Sequence, residues 1–472
     1  MTVVLSTVGT RSKGRRWYPL QALALLTIIL AGAMVRAIHL GRASLWMDEG
    51  ASAAIAAMDK ASFWRLLFTR EMNMAAYYCL LRLSVFLQSS EAHLRLISVF
   101  FGTALIGAAW MLAKETLIES RGTLWAIALA CLVAFNGFLI AYSREARGYA
   151  MAVFFLTLSA WALTIVLKTG KLRVTWCLLA LAALYSHFYT LLWILPQVWA
   201  LWKACRKNGR KWFRPIALAG MVGLLPLFIF ALRTRGGQLD WVPRLTLHSF
   251  FDTFIQLAGY SRVSLALLCA GSLIGCLRLW SRGDAIARFI VIENILPVCV
   301  LLALSPIHPL FVARFLIFAV PFLLLTAIEG FSTLGVGVGG ILSAVVICAM
   351  LITGDRSAPK SDWRDMTQNL CSQSSAVVFW PGMGKFPYWY YAQSNPACPH
   401  IIFPHSQQVE VADFRAGKRD LVRELCSSNE KSVLLVMDSN SRSSIADLGV
   451  SCYTPVSTSS RDGMQVFRLD RK

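Results

Sequence analysis

Apolar residues in this chain come in long unbroken runs, separated by short stretches where Lys and Arg gather. Each run is roughly 15–20 residues, the length a helix needs to cross a bilayer. The first covers 19–40. Others fall near 94–114, 122–140, 149–167, 173–186, 188–202, 215–232, 263–280, 288–305, 310–328 and 333–353, so the pattern predicts eleven spans. From about Asp355 the pattern changes. Charges and turn residues return, and short β-like runs at 376–380, 400–403 and 432–436 alternate with polar stretches of helical character. That alternation predicts a small α/β domain over 355–472 behind a membrane domain over 1–354.

The 472 residues are 57% hydrophobic and only 15% charged, against about 25% charged in a typical soluble domain. This excludes disordered, collagen-like and small disulfide-stapled proteins and makes the chain a polytopic membrane protein. Lys and Arg number 46 against 25 acids, a net charge of +21. No nucleic-acid module accompanies that excess. It reads as positive-inside signal and contact with membrane lipids, anionic ones above all. The first run follows Arg11, Lys13, Arg15 and Arg16 with no small-residue cleavage pattern after it, so it is read as an uncleaved span with the N-terminus in the cytoplasm. Basic clusters then recur on one side: Lys114 and Arg121; Lys168, Lys171 and Arg173; Lys203, Arg206, Lys207, Arg210, Lys211 and Arg214; Arg278, Arg282 and Arg288. The loop near Glu329 has none. An odd number of spans puts the tail outside.

Of twelve cysteines, four lie in the tail: Cys371, Cys398, Cys426 and Cys452. An even number in a domain outside the cytoplasm fits two disulfides. Three connectivities are open, of which Cys371–Cys398 with Cys426–Cys452 is the expectation; free thiols are the alternative.

The remaining basic residues of the membrane part fall on the outer side: Arg36, Arg42, Lys60, Arg65, Arg70, Arg82, Arg95, Arg144, Arg147, Arg233, Arg235, Arg244, Arg262 and Arg314. Short outer loops are normally poor in such residues. Either a phosphate rewards them, because guanidinium binds phosphate oxygens through paired hydrogen bonds, or they snorkel to headgroups. The outer loop 41–93 also carries Asp48 and Glu49, directly after the first span. A carboxylate there can take a proton from an attacking hydroxyl or amine; the plainer reading is an acid pair opening a helix over 51–58. Glu71 precedes an apolar run, 75–87, expected to lie at the interface. Glu145 and His187 sit at two further outer corners. His187 among aromatics is read first as a packing residue. A Glu–His metal pair lacks any HExxH-like spacing.

At these residues the chain resembles the polyprenyl-phosphate-dependent membrane glycosyltransferases of the GT-C class. The match is to the bacterial family 39-like group, related to protein O-mannosyltransferases and lipid A aminoarabinose transferases. The stretches that carry it are Leu45 to Ala53, Glu71 to Tyr78, Arg95 to Ser98, Arg144 to Tyr149, Tyr185 to Tyr189, Trp241-Val242-Pro243, Arg314 to Pro321, Asp362-Trp363-Arg364 and Tyr390-Tyr391, in family order along nearly the whole chain. Met74-Ala75 stands where the family usually has two prolines, which loosens the turn expected near Glu71. The resemblance implies a sugar donor on an isoprenoid phosphate and a lipid, glycan or protein acceptor at the outer face of a bacterial inner membrane. It implies Asp48 as general base with inversion at the anomeric carbon, and Glu49, Glu71 or Glu145 as groups that position sugar, acceptor or a divalent ion; Glu71 and His187 are the candidate ligands for such an ion, whose presence is open. Arg144, Arg147 and Arg314 would stabilise the leaving phosphate, and Tyr149, His187 and Tyr189 would orient phosphate or sugar. A transporter for lipid-linked sugars and a scaffold acting through the tail are the rival readings; no internal repeat supports the first.

Overall fold

The computed structural model describes residues 17–85, 90–117, 122–207, 213–233, 242–354, 361–373, 376–393, 395–404, 409–415, 417–438, 445–461 and 463–472. Arg11, Lys13, Arg15, Arg16, Arg121, Arg210, Lys211, Arg235 and Trp241, and the expected boundary at Asp355, lie outside the described residues. The membrane part runs through helices α1 (Trp17–Ala37), α2 (Met47–Ala57), α3 (Lys60–Thr69), α4 (Ala75–Val85), α5 (Glu91–Thr116), α6 (Gly122–Phe135), α7 (Gly137–Ser143), α8 (Tyr149–Thr169), α9 (Arg173–Ser186), α10 (Leu191–Lys207), α11 (Phe213–Arg233), α12 (Leu247–Leu257), α13 (Arg262–Arg282), α14 (Ala285–Leu304), α15 (Ala313–Leu316), α16 (Val320–Ser332) and α17 (Gly335–Thr353).

Every predicted run is helical; the count of eleven spans is not confirmed. Among the described residues eight helical stretches are long and apolar enough to cross a membrane, or nine if the bent pair α6–α7 is one span. The shortfall is in the 173–202 region. At 1.5 Å per residue, the 14 residues of α9 reach only about 21 Å of the ~30 Å hydrocarbon core. The 17 residues of α10 end in Lys203, Arg206 and Lys207. On α1, Leu20, Leu23, Leu30 and Met34 are exposed, as befits a helix whose solvent is lipid.

The two ends of the bundle differ. At one, Lys168 at the end of α8 pairs with Glu115 at 2.7 Å, Arg282 at the end of α13 donates to the Thr116 carbonyl at 3.2 Å, and Arg278 pairs with the buried Glu329 at 3.4 Å. The loop that lacks a basic residue of its own therefore has its acid neutralised from α13. The other end carries α2 to α4, the corners around 144–148 and 187–190, α15 and the tail.

A break inside the bundle must satisfy the backbone groups it frees. The α6–α7 pair bends by 57° at Asn136. The Asn136 side chain caps α7 by accepting from the Leu139 N–H at 3.0 Å and donates to the Leu257 carbonyl at 3.0 Å. The orphan carbonyls of α6 go to Arg36, which is fully buried and donates to Val133 at 3.1 Å, Ala134 at 2.8 Å and Ser143 Oγ at 3.2 Å. Its charge faces a helix C-terminus, where cations are favoured. Elsewhere α13 and α16 touch backbone to backbone. A Cβ on Gly275 would stand 1.9 Å from the Thr326 carbonyl oxygen, and one on Gly330 the same distance from that of Gly271. Such close approach lets small residues bind helices where no hydrophobic force separates protein from lipid.

The tail is a five-stranded sheet of order β2-β1-β3-β5-β4. The three β-like runs are strands β1 (Ala376–Trp380), β2 (Ile401–Phe403) and β3 (Ser432–Asp438), which pair in parallel, and β4 (Tyr453–Arg461) and β5 (Met464–Arg471) form an antiparallel hairpin that the sequence pattern did not reveal. Alternate residues of β1 serve two cores. Val377 and Phe379 pack on α18 (Trp363–Cys371) and α19 (Lys385–Ala392), while Ala376 and Val378 pack on α20 (Lys418–Ser427). A short helix, α21 (Ile445–Leu448), precedes the hairpin. Both expected disulfides are present, Cys371–Cys398 and Cys426–Cys452.

Candidate functional site

Helix α2 starts immediately after Trp46, and its first four residues fan out at 100° steps into four different environments. The Met47 side chain packs on the tail core. Asp48 faces Arg314, with Oδ2 3.3 Å from Nη1. Glu49 turns inward and is fully buried. Gly50 lies against the tail, where a Cβ would meet the Pro387 nitrogen at 2.6 Å. The two acids do open a helix, as the plainer reading has it, but they divide their work. Both Glu49 oxygens are taken, by Arg95 Nε and Nη2 at 2.7 Å each, and Oε1 also accepts from the Ala146 N–H at 2.8 Å. That carboxylate is committed to protein. The Asp48 carboxylate keeps about a fifth of its surface open.

Arginines converge on Asp48 from two directions. Arg314, on α15, packs over the Trp46 ring at 5.6 Å. Arg147, in the corner before α8, donates to Tyr78 Oη at 3.0 Å and reaches the Asp48 carbonyl and Ser52 Oγ at 3.5 Å. Glu71 stands at the start of the Met72–Met74 turn, within electrostatic reach of both Asp48 and Arg147. Burial pushes the Glu71 carboxyl up to about 7; Arg147 pulls it back down and Asp48 adds to the rise. The Met74-Ala75 departure leaves this turn running straight into α4.

His187 is buried in an aromatic box of Tyr149, Tyr189, Phe315 and Phe318, with ring centroids 5.0–5.9 Å away. Burial, with Arg147 and Arg314 adding to it, pushes its pKa down to about 3, so the ring is neutral. Nδ1 accepts from the Tyr189 N–H at 3.3 Å, which leaves the proton on Nε2. That N–H is buried and has no hydrogen-bond partner among the described residues. Tyr189 stacks on Phe315 at 4.1 Å.

The structure therefore brings together Asp48, Glu71, Arg147, Tyr149, His187, Tyr189 and Arg314. Glu145 is buried beside them, within electrostatic reach of Arg314 and Tyr149. Arg144 turns to the end of α1, donating to the Ile38 carbonyl at 3.0 Å. Trp46, Tyr78 and Ser52 also belong to the cluster, and in the sequence nothing but their place within the family-like stretches marks them. No group of three or more His, Cys, Asp or Glu able to hold a metal occurs among the described residues, and Glu71 and His187 both stand close to the Arg147 guanidinium. An open groove lies elsewhere, around Gly170–Thr175, Pro215 and Ile216, on the face of the basic loops.

No protein-family model matches the chain, and no curated protein does. Solved structures do. ArnT from Cupriavidus metallidurans in the apo state is similar over 97% of this chain and 98% of its own, with a TM-score of 0.57 at 11% identity. The same protein bound to undecaprenyl phosphate gives 0.54 at 12%, with the same coverage. The archaeal oligosaccharyltransferase AglB from Archaeoglobus fulgidus, in complex with an inhibitory peptide and a dolichol-phosphate, matches 97% of this chain and 74% of its own, with a TM-score of 0.55 at 11% identity. The chain has the GT-C fold. At such low identity it is the fold that is shared, and it makes this a multi-pass membrane protein with a small domain behind its last helix. Within the GT-C fold, the polar cluster around Asp48 occupies the end of the bundle that meets the tail.

Proposed function

We propose that this protein is an inverting glycosyltransferase that moves a sugar from a polyprenyl-phosphate donor to an acceptor at the outer face of a bacterial inner membrane. The observation that carries the reading is a partly open carboxylate, Asp48, paired with the Arg314 guanidinium and flanked by a second, Arg147, that reaches the Asp48 backbone carbonyl, at one end of a GT-C bundle. The solved relatives ArnT and AglB were captured with undecaprenyl phosphate and a dolichol-phosphate, which supports a lipid-phosphate donor here. The N-terminus is cytoplasmic and the 355–472 domain lies outside; the basic loops at the opposite end favour this orientation.

In the proposed reaction, Asp48 takes the proton from the acceptor hydroxyl or amine as that atom attacks C1 of the sugar. The C1–oxygen bond to phosphate breaks, and the electron pair leaves on the phosphate monoester. Arg314 and Arg147 stabilise the charge that develops there. Arg314 holds Asp48 in place before the donor arrives, and the phosphate then competes for its guanidinium. The His187 Nε2–H is a preformed neutral donor for a phosphate oxygen or a sugar hydroxyl, and Tyr149 and Tyr189 line its box. Glu71 positions sugar or acceptor. Glu49 and Arg144 act through protein contacts and touch no substrate.

Incubating the purified protein in nanodiscs with isotope-labelled polyprenyl-phosphate sugars and candidate acceptors, and reading products by mass spectrometry, tests the proposal. Free polyprenyl phosphate and labelled acceptor should appear together. Movement of intact lipid-sugar across the bilayer without cleavage would make the protein a transporter instead.

Glu71 supplies a pH signature. Its folded pKa, about 7, is above the ordinary 4.5. A raised carboxyl pKa means that the folded state holds the proton more tightly. The associated stability is fully present below about pH 4.5 and is lost as pH rises to about 7. Glu71→Gln removes the titration. Between those pH values the wild type should lose apparent Tm relative to this variant by on the order of 2–4 °C. Parallel Tm curves for the two proteins would refute the environment described for Glu71.

A further inference from the structure

The described residues of the tail domain hold the segment that delivers Asp48. Residues 38–46, between α1 and α2, form no helix or strand, so beyond the local turn bonds of the Ile38, Leu40 and Arg42 N–H groups their backbone needs partners from elsewhere. Arg95 supplies the inner half, donating to the carbonyls of Leu40, Ala43 and Ser44 at 2.7–3.0 Å. The outer half comes from α18 and α19. Tyr391 Oη accepts from the Leu45 N–H at 2.7 Å and donates to Glu91 at 3.1 Å. The Trp363 N–H donates to Ser44 Oγ at 3.1 Å. Arg364 pairs with Glu91 at 2.6 Å and reaches the Gly41 carbonyl at 3.3 Å. On the helix itself, Phe386 packs on Ala51 and Ala54. Behind α19 the fully buried pair Lys385–Asp413, 2.7 Å apart, fixes its first turn.

The Cys371–Cys398 bridge joins these two gripping helices: Cys371 is the last residue of α18, and Cys398 lies on the chain that leaves α19. It belongs to the sheet face on which Met47 also packs. Cys426–Cys452 lies on the opposite face.

We propose that the α18–α19 pair, locked by Cys371–Cys398, is a positioning clamp that sets where α2 begins and so where the Asp48 carboxylate stands, with Tyr391 as its principal positioning residue. The proposal rests on the glycosyltransferase reading for its effect on turnover, but not for its effect on the backbone.

The two disulfides provide a matched pair for the test. They close loops of 27 and 26 residues, so removing either relaxes the unfolded chain almost equally. Full-length Cys371→Ser/Cys398→Ser, Cys426→Ser/Cys452→Ser and Tyr391→Phe are compared in nanodiscs by sugar transfer, thermal unfolding and hydrogen–deuterium exchange of the 41–46 peptide. The clamp predicts similar losses of apparent Tm for the two disulfide variants. Only Cys371→Ser/Cys398→Ser and Tyr391→Phe should expose 41–46 to faster exchange. Only those two should lower kcat, by about tenfold, with the donor KM within about twofold, since a small misplacement of a reacting group costs rate rather than affinity. Equal kcat losses in both disulfide variants would mean that stability alone is at issue, and would overturn the clamp. So would unchanged exchange in Tyr391→Phe, or faster exchange with unchanged kcat. A wild type that transfers no sugar would sink the proposed function, and the exchange comparison alone would then decide the clamp.

Discussion

Asp48→Asn is expected to insert and fold like the wild type and to lose sugar transfer by about 10³-fold, within the range that a positioned general base contributes. The fold should survive because asparagine keeps an oxygen for Arg314 to donate to, and because α2 is anchored by its neighbours Met47, Glu49 and Gly50 rather than by Asp48. The loss should fall on kcat. Removing the carboxylate leaves Arg314 and Arg147 without their nearest negative charge, so donor affinity should hold or rise, and the donor KM should stay level or fall. Turnover of Asp48→Asn above about a tenth of the wild-type kcat would remove Asp48 from the role of base. A collapse of donor binding would instead point to Asp48 as a ligand for the sugar.

The membrane domain was legible because lipid imposes a simple rule, that a spanning run must be apolar and long, and nearly every such run became a helix. Where the pattern misled, other forces acted. The 173–202 stretch is apolar throughout but breaks at the His187 corner and carries Pro196 inside α10, so composition alone does not show how its two shorter helices divide the bilayer. The β4–β5 hairpin escaped because β5 shows no clean alternation. Met464 and Val466 enter one core while Phe467 and Leu469 enter the other, with Arg468 between the last two and Asp470 after them. The outer arginines show how one signal can carry two meanings. Their excess is real, but Arg36, Arg82, Arg95 and Arg144 are spent on protein carbonyls and on Glu49. Arg147 and Arg314 are the pair beside Asp48. Sequence spacing cannot separate these uses, since a guanidinium that ties down irregular backbone and one that awaits a phosphate look alike until the fold shows what each one faces.

Arg95→Leu is expected to destabilise the protein more than any other single change at this end of the bundle. Its guanidinium holds both oxygens of a carboxylate that is only 1% exposed, and three backbone carbonyls besides. Removing the arginine strands Glu49 with the Ala146 N–H as its remaining hydrogen-bond donor of those described, and breaking a buried pair in this way costs about 3–5 kcal/mol. Glu49→Gln should cost less, because the amide still offers an oxygen to Arg95 or to Ala146. The double variant Glu49→Met/Arg95→Leu removes both charges, and it should recover part of the loss because the desolvation of each ion disappears with it. Recovered stability should not bring back transfer, since the carbonyls of Leu40, Ala43 and Ser44 remain without their donor and α2 no longer starts where Asp48 requires. Apparent Tm and kcat measured across the wild type, Arg95→Leu, Glu49→Met and the double variant separate the two effects. If the double variant regained both together, Arg95 would be a stabiliser of the fold with no part in aiming the carboxylate at position 48.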